Sequence, residues 1–153
     1  MDWSEIAAHF QPEGSLRDIY ILNASLEDWA SVWGILTMGP EPLRFTVDGE
    51  VVAPPMLVEE AFRLQANHSV CASYQLGPQL VNCCCFMVDE VELDIDPKDV
   101  DGLVEAQRLA DFMAVLGRAT AKEVRLTGEM DPHSIIARYD PVADHVDWVS
   151  LAK

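Results

Sequence analysis

The sequence has few basic residues. Lysine and arginine together number 10 among 153 residues, against 26 aspartates and glutamates, so the formal net charge is −16 at pH 7. The excess is evenly spread, because each half of the chain carries a net charge of −8. Proteins bind nucleic acids and anionic membranes largely through lysine and arginine, so we expect neither as a partner. The charge favours a basic protein partner, although a high net charge also simply keeps a protein soluble.

Long apolar runs are also missing. No run approaches the roughly 18–20 residues that a membrane helix needs. The opening residues Met1–Glu5 have neither the basic nor the apolar region of a secretory signal, so we expect a cytoplasmic protein. The length predicts one domain over residues 1–153, and the 50% apolar composition indicates a folded chain.

The chain contains no G-x-S-x-G, P-loop or G-x-G-x-x-G motif. Asp131 lies close to His133 in sequence and Asp144 lies next to His145, and a histidine with a carboxylate is half of a catalytic dyad. Aspartate beside histidine is equally typical of turns. We therefore assign no catalytic residue, no cofactor and no metal, and we favour a non-catalytic protein over an enzyme.

Hydrophobic periodicity predicts four helices and a set of short strands. The helices are expected over residues 2–10, 26–36, 56–66 and 103–116, with Gly117 as the cap of the last one. The strands are expected over residues 16–24, 43–47, 51–53, 70–76, 80–86, 88–95, 123–127, 135–139 and 145–151. Strands grouped between helices predict an α+β fold, with a largely antiparallel or mixed sheet of about six to eight strands and about four helices packed on it.

Three local patterns predict further details of the fold. The nearly continuous apolar run Ile19–Leu22 predicts a strand buried on both faces, and hence a central one. Asp48-Gly49 predicts a tight hairpin turn. Trp29 and Trp33 share a helical stripe with other apolar residues, so we expect both in the core.

The most distinctive segment runs from Asp89 to Asp101 and holds seven acidic residues and one lysine. Within it, apolar residues alternate with four acids, which predicts one core-facing and one water-facing side of a strand. The four acids are Glu90, Glu92, Asp94 and Asp96. Three interpretations remain open: a solvated strand face, which also protects an edge strand; a docking patch for a basic partner; and a weak, non-specific cation site.

The four cysteines are Cys71, Cys83, Cys84 and Cys85. Three adjacent cysteines do not form an ordinary disulfide framework. If Leu76 pairs with Gln79 across the Gly77-Pro78 turn, Cys71 lies opposite Cys84, which leaves a redox pair possible. The alternatives are a zinc site, for which no C-x-x-C pattern exists, and small buried apolar side chains.

Several fragments resemble those of small, acidic α+β immunity proteins that bacteria keep beside polymorphic or contact-dependent toxins. The fragments are Glu92–Pro97, Leu116-Gly117-Arg118, Val124–Glu129 and Arg138–Pro141. The resemblance implies a protein that binds and neutralises a toxin without catalysis, and it assigns no binding residues.

These observations lead to a main hypothesis and two alternatives. The main one is a non-catalytic protein-interaction module that binds a basic partner through Glu90, Glu92, Asp94 and Asp96. The first alternative is a small-ligand-binding domain or enzyme with a pocket between helices and sheet, carrying His133, Asp131 or the cysteines. The second is a homodimer formed through an edge strand or a terminal helix.

Overall fold

The computed structural model describes residues 1–151, and these form an α+β domain built on one antiparallel sheet. The α+β class and the antiparallel sheet are confirmed, but the described chain has ten strands rather than six to eight. The strands are β1 (Arg17–Leu22), β2 (Arg44–Val47), β3 (Glu50–Val52), β4 (Val70–Leu76), β5 (Gln79–Cys83), β6 (Phe86–Met87), β7 (Glu90–Ile95), β8 (Val124–Gly128), β9 (Ile135–Asp140) and β10 (His145–Trp148).

Four α-helices lie within the described residues, as the periodicity predicts. They are α1 (Trp3–Ile6), α2 (Leu26–Thr37), α3 (Val58–Gln65) and α4 (Leu103–Thr120). The first predicted helix is split, because 3-10 geometry continues α1 over Ala7–Phe10. Both α1 and α2 begin with a capping box. In each box the N-cap side chain accepts a hydrogen bond from the backbone amide of the third helical residue, and the side chain of that residue accepts one from the N-cap amide.

The sheet has the strand order β10-β9-β8-β1-β7-β5-β4-β2-β3, and the short β6 pairs with β7. The apolar run that predicts a central strand is β1, which lies between β7 and β8. The acidic strand β7 is also internal, so its carboxylates do not protect an edge. The edge strands of the main path are β3 and β10.

The helices cover one face of this sheet. Ile19 and Ile21 of β1 and Val91 and Leu93 of β7 belong to the same buried cluster as the apolar residues of α2, α3 and α4. Trp29 and Trp33 lie in that core, at 0% and 2% exposure, which confirms their assignment. Because side chains alternate along a strand, Asp18, Tyr20, Glu92 and Asp94 project to the opposite face.

The prediction that Gly117 caps the last helix is wrong. Helix α4 continues one turn further to Thr120, and Ala121, with a left-handed φ of 55°, forms its end. Gly117 is instead a contact point, because a Cβ atom there would lie 2.1 Å from Cδ1 of Tyr139. The glycine therefore lets the tyrosine ring of β9 pack against the helix backbone.

One of the predicted strands is shorter than expected. The sequence predicts one strand over residues 80–86, whereas β5 ends at Cys83 and β6 starts at Phe86. No helix within residues 1–151 is long and apolar enough to cross a membrane.

Candidate functional site

The helix-free side of the sheet brings four carboxylates together, and we call Asp18, Glu90, Glu92 and Asp94 the acidic face. Glu90, Glu92 and Asp94 follow one another on the same side of β7. Asp18 of β1 pairs directly with Asp94 in the antiparallel register. Directly opposed residues have Cβ atoms about 4.5–5.5 Å apart, so two like charges face each other here.

A polar network lies beneath the acidic face. The Asp18 carboxylate accepts hydrogen bonds from the Tyr20 hydroxyl at 3.1 Å and from the Met130 backbone amide at 2.7 Å. Asp94 accepts a hydrogen bond from Nδ2 of Asn82 at 3.3 Å, and Oδ1 of Asn82 accepts one from Ser73 at 2.8 Å. These bonds form two groups, one that joins β4, β5 and β7 and one that joins β1 to the loop between β8 and β9.

Burial and mutual repulsion disfavour the charged state of this cluster. Burial raises the pKa of the Asp18 carboxyl, and the charge of Glu129 adds to the rise, although the bonds from Met130 and Tyr20 oppose it. Burial raises the pKa of Glu92 as well, and the charges of Asp18, Glu90 and Asp94 raise it further.

The same two causes act on the neighbouring groups. Burial raises the pKa of Asp94, with Asp18 and Glu129 adding to the rise and the bond from Asn82 opposing it. Burial and the charge of Asp18 also raise the pKa of the Tyr20 phenol. The hydrogen bonds from Met130, Tyr20 and Asn82 therefore compensate the negative charge of the cluster only in part.

No basic side chain of the described residues forms an ion pair with the acidic face. The ion pairs involve other carboxylates, such as Glu13, Asp28, Glu123 and Asp144. Glu90, Glu92 and Asp94 are partly exposed, whereas Asp18 is buried at 2% exposure beside the loop after β8, and none of the four has an ion-pair partner among the described residues.

Asp96, the fourth residue of the sequence hypothesis, lies beyond the end of β7. Its carboxylate accepts a hydrogen bond from the Lys98 backbone amide and caps the 3-10 helix Pro97–Asp99. It also pairs with the Lys98 ammonium at 3.5 Å. Asp18, which the sequence hypothesis missed, is brought to the acidic face by β1. Asp18 is a charged residue inside a strand that is otherwise predicted to be fully buried. This is the sequence feature that could have identified it.

The cysteines lie beside the acidic face. The register Leu76–Gln79 is as predicted, and Cys71 and Cys84 form a disulfide. Cys83 is buried and Cys85 is an exposed free thiol. The interpretation as small buried side chains therefore holds for Cys83 alone.

The histidines are dispersed over the surface. His133 is exposed in the loop after β8, where its backbone amide donates to Asp131. His145 is exposed on the edge strand β10. His68 binds Asp48 at 2.7 Å, which ties the hairpin turn to the start of β4, and the His9 ring binds the Val149 carbonyl. Within residues 1–151, no group of three or more His, Cys, Asp and Glu side chains is arranged to hold a metal ion.

A half-open cavity lies between α1, α4 and β10, with a volume of about 620 Å³. Its lining includes Glu5, Asp111, Arg118, His145, Asp147 and Trp148. The residues of the pocket hypothesis, His133, Asp131 and the cysteines, do not line it. Arg118 at its rim is bound to Asp144 at 2.8 Å, and Asp144 also accepts a hydrogen bond from Tyr139.

Comparison of the chain with protein-family models, with curated proteins and with solved structures gave no match.

Proposed function

We propose that this protein is a non-catalytic interaction module that binds a basic partner protein through the acidic face. The observation that carries the proposal is the row of Asp18, Glu90, Glu92 and Asp94, which lies on an internal pair of strands without a cation from the chain's own described residues. Repulsion within this row is present in the free protein. A partner that supplies lysine or arginine relieves it on binding.

The overall charge supports the same proposal. A net charge of −16 attracts a cationic surface over distance and raises the association rate, which for steered pairs reaches about 10⁸–10⁹ M⁻¹s⁻¹ at low salt against about 10⁵–10⁶ without steering. Salt screens this attraction over about 8–10 Å at physiological ionic strength. Binding should therefore weaken as salt is added.

The resemblance to bacterial immunity proteins favours one kind of partner. A nuclease toxin has a cationic groove for its nucleic-acid substrate, and an acidic protein seated in that groove blocks the substrate. In this proposal the protein acts by occlusion and catalyses nothing.

The test is capture of partners from a lysate of the native organism at low salt. Immobilised wild-type protein is compared with the E90Q/E92Q/D94N variant and with E27Q/E41Q/E50Q. The second variant removes the same charge from exposed glutamates outside β7. We expect a basic protein that wild type and the control variant retain, that the first variant loses and that salt elutes. Equal capture by all three proteins would contradict the proposal.

The cavity between α1, α4 and β10 supports the alternative of a small-ligand domain, because its volume falls in the range of ligand sites, about 300–1,000 Å³. A metabolite that raises the melting temperature, and loses that effect in the Arg118→Met variant, would favour this alternative.

A homodimer through β3 or β10 stays a prediction, and light scattering across concentrations tests it.

A further inference from the structure

The three adjacent cysteines form a bulge between β5 and β7. Asn82 pairs with Asp94, and Phe86 pairs with Val91. Between these two pairs, the three residues 83–85 face only two residues, 92 and 93. This is the pattern of a β-bulge, in which one extra residue interrupts the ladder. The interruption explains why one predicted strand is divided into β5 and β6.

A disulfide fastens this bulge to the neighbouring strand. Since Ala72 pairs with Cys83, the next position places Cys71 opposite Cys84, and their Cα atoms are 4.1 Å apart. Cys84 is exposed, so a soluble thiol has access to this end of the bond. The Cys71 carbonyl accepts a hydrogen bond from Thr46 of β2, so the bulge is linked through β4 to the strand beyond.

The ends of the bulge are held by other contacts. Gln65 of α3 binds the backbone of Phe86 twice, donating to its carbonyl at 2.9 Å and accepting from its amide at 2.7 Å. The Phe86 ring packs against the rings of Trp29 and Phe62. Opening the disulfide therefore frees the middle of the segment while its ends stay in place, which makes reversible opening compatible with the fold.

The adjacent free thiols are poorly suited to exchange with this disulfide. Burial raises the pKa of the Cys85 thiol, and the charges of Glu92 and Glu90 raise it further. Burial raises the pKa of Cys83 as well. Since the thiolate is the form that attacks a disulfide, both pKa shifts disfavour exchange with the neighbouring disulfide. The Cys71–Cys84 pair is thereby kept distinct from its neighbours.

We propose that Cys71–Cys84 is a reversible redox site that a dithiol reductant opens at Cys84. The reductant's thiolate attacks the Cys84 sulfur and forms a mixed disulfide, and Cys71 leaves as a thiolate and takes a proton. The second thiolate of the reductant then attacks its own sulfur in the mixed disulfide and releases Cys84. Two electrons pass to the protein, and the reductant leaves as its disulfide. This proposal does not depend on the partner proposal.

The first test counts thiols by mass after alkylation in denaturant, across a series of reduced and oxidised dithiothreitol. The protein equilibrated folded in oxidising buffer should take up two alkyl groups, at Cys83 and Cys85. The protein equilibrated folded in reducing buffer should take up four, and reoxidation should restore two. Four groups in oxidising buffer, or two after folded-state reduction, would overturn the proposal.

The second test is thermal unfolding of the two forms. The disulfide closes a loop with a sequence separation of 13. The chain-entropy model predicts that reduction lowers the melting temperature by about 6–12 °C in a chain of this size. The variant C71S/C84S should lose the response to reductant, and C85S should keep it. Equal melting temperatures for the oxidised and reduced wild type would overturn the proposal.

Discussion

Replacing Asp94 by asparagine should stabilise the protein. Asp94 faces Asp18 directly across β7 and β1, and burial with nearby negative charge raises the pKa of both carboxyls. Like charges at directly opposed positions of a sheet cost roughly 0.2–1 kcal/mol. Asparagine keeps nearly the same shape and removes the charge. We expect a rise in the free energy of unfolding of about 0.5–1 kcal/mol at pH 7, or about 1–4 °C in the melting temperature.

The pH dependence of the stability provides a second test of the same prediction. A carboxyl whose pKa is raised in the folded state binds its proton more tightly there than in the unfolded chain. Its destabilising effect is present at neutral pH and is lost as the pH falls through the folded pKa. Wild-type stability should therefore rise when the pH falls from 7 toward the ordinary carboxyl values of 3.8 for Asp and 4.5 for Glu. In D94N this rise should be smaller.

Asp28 provides a control, because replacing it by asparagine should change the stability in the opposite direction to D94N. Burial acts to raise the pKa of its carboxyl, but bonds from Lys122 and Ser25 outweigh burial and lower the pKa. The Lys122 ammonium lies 2.6 Å from the Asp28 carboxylate. D28N should therefore lower the melting temperature at pH 7, and this part of the stability should be lost in wild type only below about pH 3.8.

Thermal unfolding followed by circular dichroism, from pH 7 to pH 3, checks both variants. A melting temperature for D94N equal to or below that of wild type at pH 7 would refute the argument that the acidic face is under repulsion. So would a D94N profile with the same slope as wild type from pH 7 down to the ordinary carboxyl range.

Three further substitutions test packing and hydrogen-bond contacts elsewhere in the fold. Gly117→Ala places a Cβ against the Tyr139 ring and should cost about 1–3 kcal/mol in chemical denaturation, whereas Gly34→Ala in α2, where no atom lies within 4 Å, should gain about 0.5–1 kcal/mol. Equal effects of the two would contradict the packing argument. Gln65→Leu removes both side-chain bonds to Phe86 and should cost about 1–3 kcal/mol, with faster hydrogen exchange at the Phe86 amide. Unchanged exchange there would show that Gln65 does not hold the bulge.

Local patterns predicted the elements of this fold well. The hairpin turn at Asp48-Gly49 has the positive φ angles that its sequence indicates, 50° and 83°. The alternation along β7 is also as predicted, because it depends on residues close in sequence.

Long-range features were not predictable in the same way. Strand order depends on which apolar faces pack together, so the position of Asp18 opposite Asp94 could not be read from either strand alone. Gly117 matches a helix cap locally, but Tyr139, 22 positions later in the chain, determines its role. The bulge at Cys83–Cys85 depends on how β5 and β6 both pair with β7, which no single segment shows.

The most direct test of the central claim is the salt dependence of partner binding. With the captured basic protein, calorimetry should give a dissociation constant for wild type that rises steeply between 50 and 500 mM salt. For E90Q/E92Q/D94N we predict affinity at least about tenfold weaker at low salt with a shallower dependence, while E27Q/E41Q/E50Q stays close to wild type. The same affinity and the same salt slope for all three proteins would show that the partner binds elsewhere.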